Sequence, residues 1–274
     1  VVDFIDQHAD EPFFLVFASP VPHLALQVPE ESLEAYPDSM DNGPFLGGPY
    51  LPHPRPKAAY AAMITRLDRY VGNLLDLLDE LKLSDNTLVV FTSDNGTTHL
   101  GLEVDFTFFK SVGELRGLKG SLYEGGVRVP TIVRWPGHVE PGTVSDRVSG
   151  FEDWLPTLME AVGGAATVSD EIDGISLLAT LKGQKQPERE YLYREFPSYG
   201  GQQTIRVGDW KAVRQNMSKG NLDIELYNIA DDIGEKNNVA ADNPAVVARL
   251  EKMMSEVRTP SKMFPLKPLD GPGK

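Results

Sequence analysis

Thr87-Leu88-Val89-Val90-Phe91-Thr92-Ser93-Asp94-Asn95-Gly96 decides the fold class. Six apolar or β-branched residues run without alternation into a polar turn. Such a run fits a strand covered on both faces, as in a parallel sheet. Upstream, Lys57 to Lys82 places Met63, Leu67, Tyr70, Val71, Leu74, Leu78 and Leu81 on one helical face. Arg66, Arg69, Asn73, Asp76 and Glu80 fall largely opposite. Pro56 sits just before the helix, and Ser84-Asp85-Asn86 makes the turn after it. A helix followed through a short turn by a buried strand is half of a βαβ unit, so the expected class is α/β.

Further strands fit the same class. Residues 12–18, Pro-Phe-Phe-Leu-Val-Phe-Ala, read as another strand buried on both faces, stopped by Pro20 and Pro22. Val129 to Trp135 reads as a third, and 152–162 as a helix. Residues 43–56 hold too many prolines and glycines for a regular element and read as a long surface loop; 97–127 is a second, glycine-rich loop region. After Lys185 the pattern changes. Candidate strands at 189–195, 203–207, 209–214 and 223–229 form a small antiparallel meander. A helix over 243–257 follows, with a loose or surface-wrapped tail at 259–274. The expected organisation is therefore an α/β portion over 1–187 with a largely parallel central sheet. A small antiparallel-sheet-plus-helix subdomain covers 188–274.

Composition narrows the function. The 274 residues carry 26 basic and 40 acidic side chains, a net charge of −14, which lacks the basic footprint of a nucleic-acid binder. The same balance gives no attraction to anionic membranes. No run approaches 18 apolar residues, so no membrane-spanning helix is expected. With no cysteine, a disulfide frame, a thiolate metal site and a cysteine nucleophile are excluded within these residues.

Three places carry chemistry. Asp94-Asn95-Gly96 ends a buried strand, the edge at which open α/β sheets bind ligands. A carboxylate beside a carboxamide oxygen offers two hard ligands, suited to Ca²⁺ or Mg²⁺; the same triplet is also a good turn. His23 lies past the end of the 12–18 run, and His99 follows four residues after Asn95. The third place is Leu115-Arg116-Gly117-Leu118-Lys119-Gly120-Ser121-Leu122-Tyr123-Glu124-Gly125-Gly126-Val127-Arg128-Val129-Pro130. Its basic residues stand among glycines that let backbone approach a ligand closely. Lys119 there suits an oxyanion as a point charge, and Arg116 or Arg128 as a bidentate clamp.

In order along the chain, these segments resemble the sulfatase family of the alkaline phosphatase superfamily. The match runs from Phe13-Phe14-Leu15 and Ala18-Ser19-Pro20-Val21-Pro22-His23 through Tyr60–Gly96, ending in Ser93-Asp94-Asn95-Gly96, and Leu115–Pro130. It continues through Arg134-Trp135-Pro136-Gly137, Asp153-Trp154-Leu155-Pro156-Thr157-Leu158, Gly208-Asp209-Trp210-Lys211 and Glu225-Leu226-Tyr227-Asn228. The resemblance implies an alkaline phosphatase-like fold and hydrolysis of an aryl or carbohydrate sulfate ester. It implies Asp94 and Asn95 as ligands of one divalent cation, usually Ca²⁺ and alternatively Mg²⁺. It implies Lys119 as the sulfate contact and His23 beside the leaving-group oxygen, with Arg116 and His99 orienting or contacting substrate. Family analogy gives a periplasmic or extracellular location.

The family's paired aspartates and the Cys/Ser motif that yields its formylglycine nucleophile are absent from these residues. The expectation is therefore that the chain is the C-terminal portion of a sulfatase and releases no sulfate alone, the formylglycine lying in an N-terminal part. The alternatives are a phosphodiesterase or phosphonate hydrolase of the same superfamily, and a non-catalytic binder of sulfated glycans.

Overall fold

The structure, a computed structural model, describes residues 1–169 and 171–271. Its helices are α1 (Val2–Gln7), α2 (Pro56–Glu80), α3 (Glu124–Val127), α4 (Trp154–Ala161), α5 (Leu178–Leu181), α6 (Pro244–Glu256) and α7 (Lys267–Asp270). Its strands are β1 (Val89–Thr92), β2 (Thr131–Arg134), β3 (Leu192–Phe196), β4 (Gln202–Val207), β5 (Trp210–Arg214) and β6 (Glu225–Asn228). β1 and β2 form a two-stranded sheet, and β3-β4-β5-β6 a four-stranded antiparallel one. None of the described helices is long and apolar enough to cross a membrane.

The chain divides into two compact units. The first is Val1–Val90 with Thr98–Ser111 and Val133–Gly137. Its core gathers Leu24, Leu26, Ala59, Tyr60, Met63 and Val104, with Tyr50 and Phe109 packed against them. The apolar stripe of α2 is buried mainly at its first two turns, where Ala58, Ala59, Tyr60, Ala62 and Met63 lie inside. Further along, Tyr70 is exposed, because segments 24–33 and 100–109 cover only the start of the helix.

The second unit is Phe91–Thr97 with Val112–Ile132 and His138–Lys274. The β4–β5 hairpin turns at Gly208-Asp209, where Gly208 takes φ +58°, a conformation that favours glycine. Register aligns Ile205, Ala212 and Leu226 across β4, β5 and β6. These three pack with Leu250 and Met254 of α6. Strand alternation puts Lys211, Val213 and Tyr227 on the opposite face. Val213 and Tyr227 there pack with Tyr123. One face of the meander thus closes on a helix, and the other carries the loop that ends in α3.

Two expectations need correction. Residues 12–18 form no strand, and Phe14 (73% exposed) and Val16 (68%) stand in solvent. An apolar run becomes a buried strand only where ladder partners and covering layers meet it, and no described strand lies beside this one. β1 and β2 are likewise only half-covered, with Phe91 and Ile132 exposed. The expected parallel central sheet does not appear among the described residues. Of the two expected forms of the tail, loose or surface-wrapped, the structure shows the wrapped one. Leu266 is 2% exposed, and Arg258 bridges Glu195 (2.5 Å) and Asp270 (2.6 Å). The last part of that tail, 272–274, lies outside the described residues. Arg258→Ala is expected to make limited proteolysis cut within 259–271 well before the rest of the chain. An unchanged digestion rate would show that the apolar seat of Leu266 holds the tail without the ion pairs.

Candidate functional site

Backbone interlocking builds the site in the second unit. The turn after β1 runs Ser93-Asp94-Asn95-Gly96-Thr97. Gly96 N–H donates to the Gly126 carbonyl at 2.9 Å, and Lys119 N–H donates to the Thr97 carbonyl at 2.8 Å. A Cβ on Gly96 would fall 1.9 Å from the Gly125 carbonyl oxygen, and one on Gly125 2.3 Å from that of Gly117. The glycines of both motifs are thus required by backbone-to-backbone contact. This contact brings together two of the three places singled out in the sequence, the Asp94-Asn95 turn and the Lys119 loop.

Within the turn, Ser93 Oγ donates to the Asn95 carbonyl at 3.0 Å, and Asn95 Nδ2 donates to the Gly96 carbonyl at 2.9 Å. The second bond uses the amide nitrogen and leaves Oδ1 as the free ligand atom of the carboxamide. Asp94 is exposed and Lys119 half-buried. Asp94 and Asn95 fit a hard cation in donor chemistry. They supply part of the six to eight oxygens that Ca²⁺ takes. Among the described residues no group of three or more acidic or histidine side chains could hold a metal ion.

The loop is anchored from beneath by residues that local sequence patterns do not reveal. Glu124 (5% exposed), Lys211 (2%) and Glu235 (0%) form a buried ion cluster. Lys211 Nζ stands 2.8 Å from Glu124 Oε1 and 2.9 Å from Glu235 Oε1. Glu124 N–H, which opens α3, donates to Glu235 Oε2 at 2.6 Å. Burial disfavours charge on both carboxylates. At Glu124 the attraction of Lys211, with Arg206 and Arg128 at the rim, outweighs burial and holds the carboxyl below its usual range. At Glu235 burial outweighs Lys211 and pushes the carboxyl up.

Arg116 completes the anchor. Its Nη1 donates to the Tyr227 hydroxyl at 2.8 Å and to the Glu235 carbonyl at 2.9 Å, while the guanidinium lies 3.8 Å over the Tyr123 ring. Tyr123 and Tyr227 hydroxyls donate to Glu225 Oε2 at 2.5 and 2.6 Å. Burial and Glu225 push both phenols up, Tyr227 to about 12, so both remain neutral donors. The family pieces Leu115–Pro130, Gly208–Lys211 and Glu225–Asn228 hold Arg116, Tyr123, Glu124, Lys211, Glu225 and Tyr227 of this floor. Nothing local signals Glu235.

The two candidate histidines, His23 and His99, belong to the first unit. His23 is exposed, its Nδ1 bonded to the Leu24 carbonyl at 2.6 Å, and its ring meets Tyr50 edge-on at 6.1 Å. With Nδ1 so held, Nε2 is the nitrogen left for proton exchange. His99 is exposed on segment 98–111.

Comparison with known proteins gives the family. A family model for sulfatases matches residues 1–165, and one for the C-terminal region of N-sulphoglucosamine sulphohydrolase matches 118–260. N-acetylgalactosamine-6-O-sulfatase of Bacteroides thetaiotaomicron is 30% identical over 93% of this chain and 49% of its own length. Human arylsulfatase A is 30% identical over 90% of this chain and 49% of its own length. Among solved structures, Ps i-CgsB in complex with k-i-k-neocarrahexaose superposes with a TM-score of 0.72 at 29% identity. That match covers 93% of this chain and 52% of that one. The chain thus spans about half the length of the curated relatives it matches. The fold these relatives share is the alkaline phosphatase-like α/β fold expected from the sequence. With the Asp94 turn locked onto the Lys119 loop and a family model running through both, the chain belongs to the sulfatase family.

Proposed function

We propose that the protein containing this chain hydrolyses sulfate esters of carbohydrates, with aryl sulfates as simpler substrates. The backbone lock between Ser93–Thr97 and the 116–126 loop carries the reading, because it sets a pair of hard cation ligands beside a lysine suited to an oxyanion. Sulfated sugars gain support from a relative named for N-acetylgalactosamine-6-O-sulfate chemistry. A second neighbour was solved with D-glucosamine-2-N,6-O-disulfate as its substrate (TM-score 0.59, 25% identity, 73% of this chain).

In this reading Asp94 and Asn95 hold a Ca²⁺ or Mg²⁺ ion. That cation, when bound, offsets negative charge on the sulfuryl group. The formylglycine nucleophile of the family is not drawn from these residues, which contain no cysteine and no serine in the family's motif frame. Lys119 lays its ammonium against the sulfuryl oxygens, where charge grows as the ester bond breaks. His23 gives a proton from Nε2 to the departing alkoxide, a task suited to imidazole near neutral pH. Arg116 orients the loop through Tyr227 and Glu235, and His99 contacts substrate.

A leaving-group series tests both the activity and the role of His23. In the full-length enzyme, His23→Ala is expected to slow sulfate esters of poor leaving groups by about 10²–10⁴-fold. Aryl sulfates of acidic phenols should be slowed far less, because a stable leaving group needs little protonation. An equal loss across the series would leave His23 a binding role only. Failure of the unsubstituted enzyme to release sulfate from any member would overturn the function itself.

A further inference from the structure

Two asparagines of the chain precede glycine, Asn42-Gly43 and Asn95-Gly96. Such a pair can rearrange in water without an enzyme. The glycine backbone nitrogen attacks the asparagine side-chain carbon Cγ. A bond forms between them, the bond from Cγ to Nδ2 breaks, and the amide leaves as ammonia with the proton that the backbone nitrogen gives up. Water then opens the resulting five-membered imide at either carbonyl. The product is aspartate or an isoaspartyl link, in each case with one new carboxylate. Glycine favours the attack because it has no Cβ to block the nitrogen or the backbone rotation.

The structure sets the two pairs apart. At Asn95 the attacking nitrogen is engaged, Gly96 N–H donating to the Gly126 carbonyl at 2.9 Å. The departing nitrogen is engaged as well, Asn95 Nδ2 donating to the Gly96 carbonyl at 2.9 Å. The space where a Gly96 Cβ would lie is filled by the Gly125 carbonyl. This peptide cannot turn toward Cγ without parting two segments. Asn42 and Gly43, in contrast, are both exposed. Gly43 has φ +143°, and a Cβ there would meet nothing within 4 Å. Its N–H donates to no carbonyl among the described residues, so this nitrogen can swing and lose its proton without breaking a bond inside the protein.

We propose that Asn42 is a site of spontaneous deamidation and isoaspartate formation, and that the bond between Gly96 and Gly126 keeps Asn95 an amide. The contrast lies in the two turns themselves and does not depend on the sulfate-ester reading. At Asn95 the carboxamide oxygen offered above to the cation persists. At Asn42 a new carboxylate appears beside Asp41, whose Oδ1 accepts the Lys57 N–H at 2.6 Å and so fixes the start of α2. An isoaspartyl link there also lengthens the main chain by a methylene.

Peptide mapping by mass spectrometry, on the full-length protein aged in mildly alkaline buffer, tests this. The Asn42 peptide should gain the mass that exchange of the amide nitrogen for oxygen adds, and should split into aspartyl and isoaspartyl forms. The Asn95 peptide should convert more slowly by about tenfold or more, because a backbone hydrogen bond and its surroundings must open first. In denaturant the two should convert at similar rates, as expected when the fold and not the local sequence separates them. Asn42→Gln should remove the early isoaspartate signal. The proposal is overturned if Asn95 keeps pace with Asn42 in the folded protein, or if folding slows Asn42 as much as Asn95. It is equally overturned if the difference persists in denaturant, or if the early signal survives Asn42→Gln. Every readout is a mass, so a protein that hydrolyses no sulfate ester still decides it.

Discussion

Lys119→Ala in the full-length enzyme is expected to lower kcat by about 10²–10³-fold, the cost of removing one preorganised donor to a developing oxyanion. Added Ca²⁺ should not restore the rate, because the lost charge belongs to the protein. Asp94→Ala should behave differently. Removing a hard oxygen ligand weakens cation affinity, so the rate should partly recover as Ca²⁺ is raised, and direct Ca²⁺ titration should show the weaker binding. The two variants separate the two halves of the interlocked turn. If Ca²⁺ rescues Lys119→Ala, or if Asp94→Ala leaves Ca²⁺ affinity intact, the division of labour proposed here is wrong. Both side chains sit on backbone held by the Gly96–Gly126 and Thr97–Lys119 hydrogen bonds. Losing either side chain should leave the scaffold standing, and thermal unfolding of the variants checks that.

The second large effect concerns stability. Lys211→Met leaves Glu124 and Glu235 buried against each other without their cation. Breaking a buried ion pair by removing one partner costs about 3–5 kcal/mol, and denaturant unfolding should read a loss of that size. Glu235→Gln should cost far less, since Lys211 keeps Glu124 as its partner. The pH dependence has opposite signs at the two carboxylates. Glu235 has a raised folded value, so its charged form is the costly one. That cost is present above the raised value and disappears as pH falls below the ordinary glutamate range near ~4.3. Glu124 has a lowered folded value, so its stabilisation is present above the ordinary range and lost as pH falls through the lowered value. Glu235→Gln should therefore remove the acid-side gain and leave the acid-side loss. An unchanged pH profile in that variant would show that Glu235 is not the group that burial penalises.

The sequence by itself determined the elements whose signal is local. The α2 and α6 periodicities, the four strands of the meander and the turn at Asp94-Asn95-Gly96 all appear within a few residues of where they were expected. In each case the driving geometry is the 3.6-residue or 2-residue repeat, or a turn chemistry, that a short window contains. The order of motifs added the family. The tertiary structure alone decided the rest. Lys211 meets Glu124 across 87 residues, and Glu235 meets the Glu124 backbone across 111. Nothing in a local window encodes contacts that exist only because a sheet face closes on a loop. Arg116, legible as a charge among glycines, is committed to Tyr227 and Glu235 by that same closure. Residues 12–18 show the converse. An apolar run states what a strand would bury, but neighbouring strands and covering layers decide whether it is buried, and Phe14 and Val16 stand in water where those neighbours are lacking.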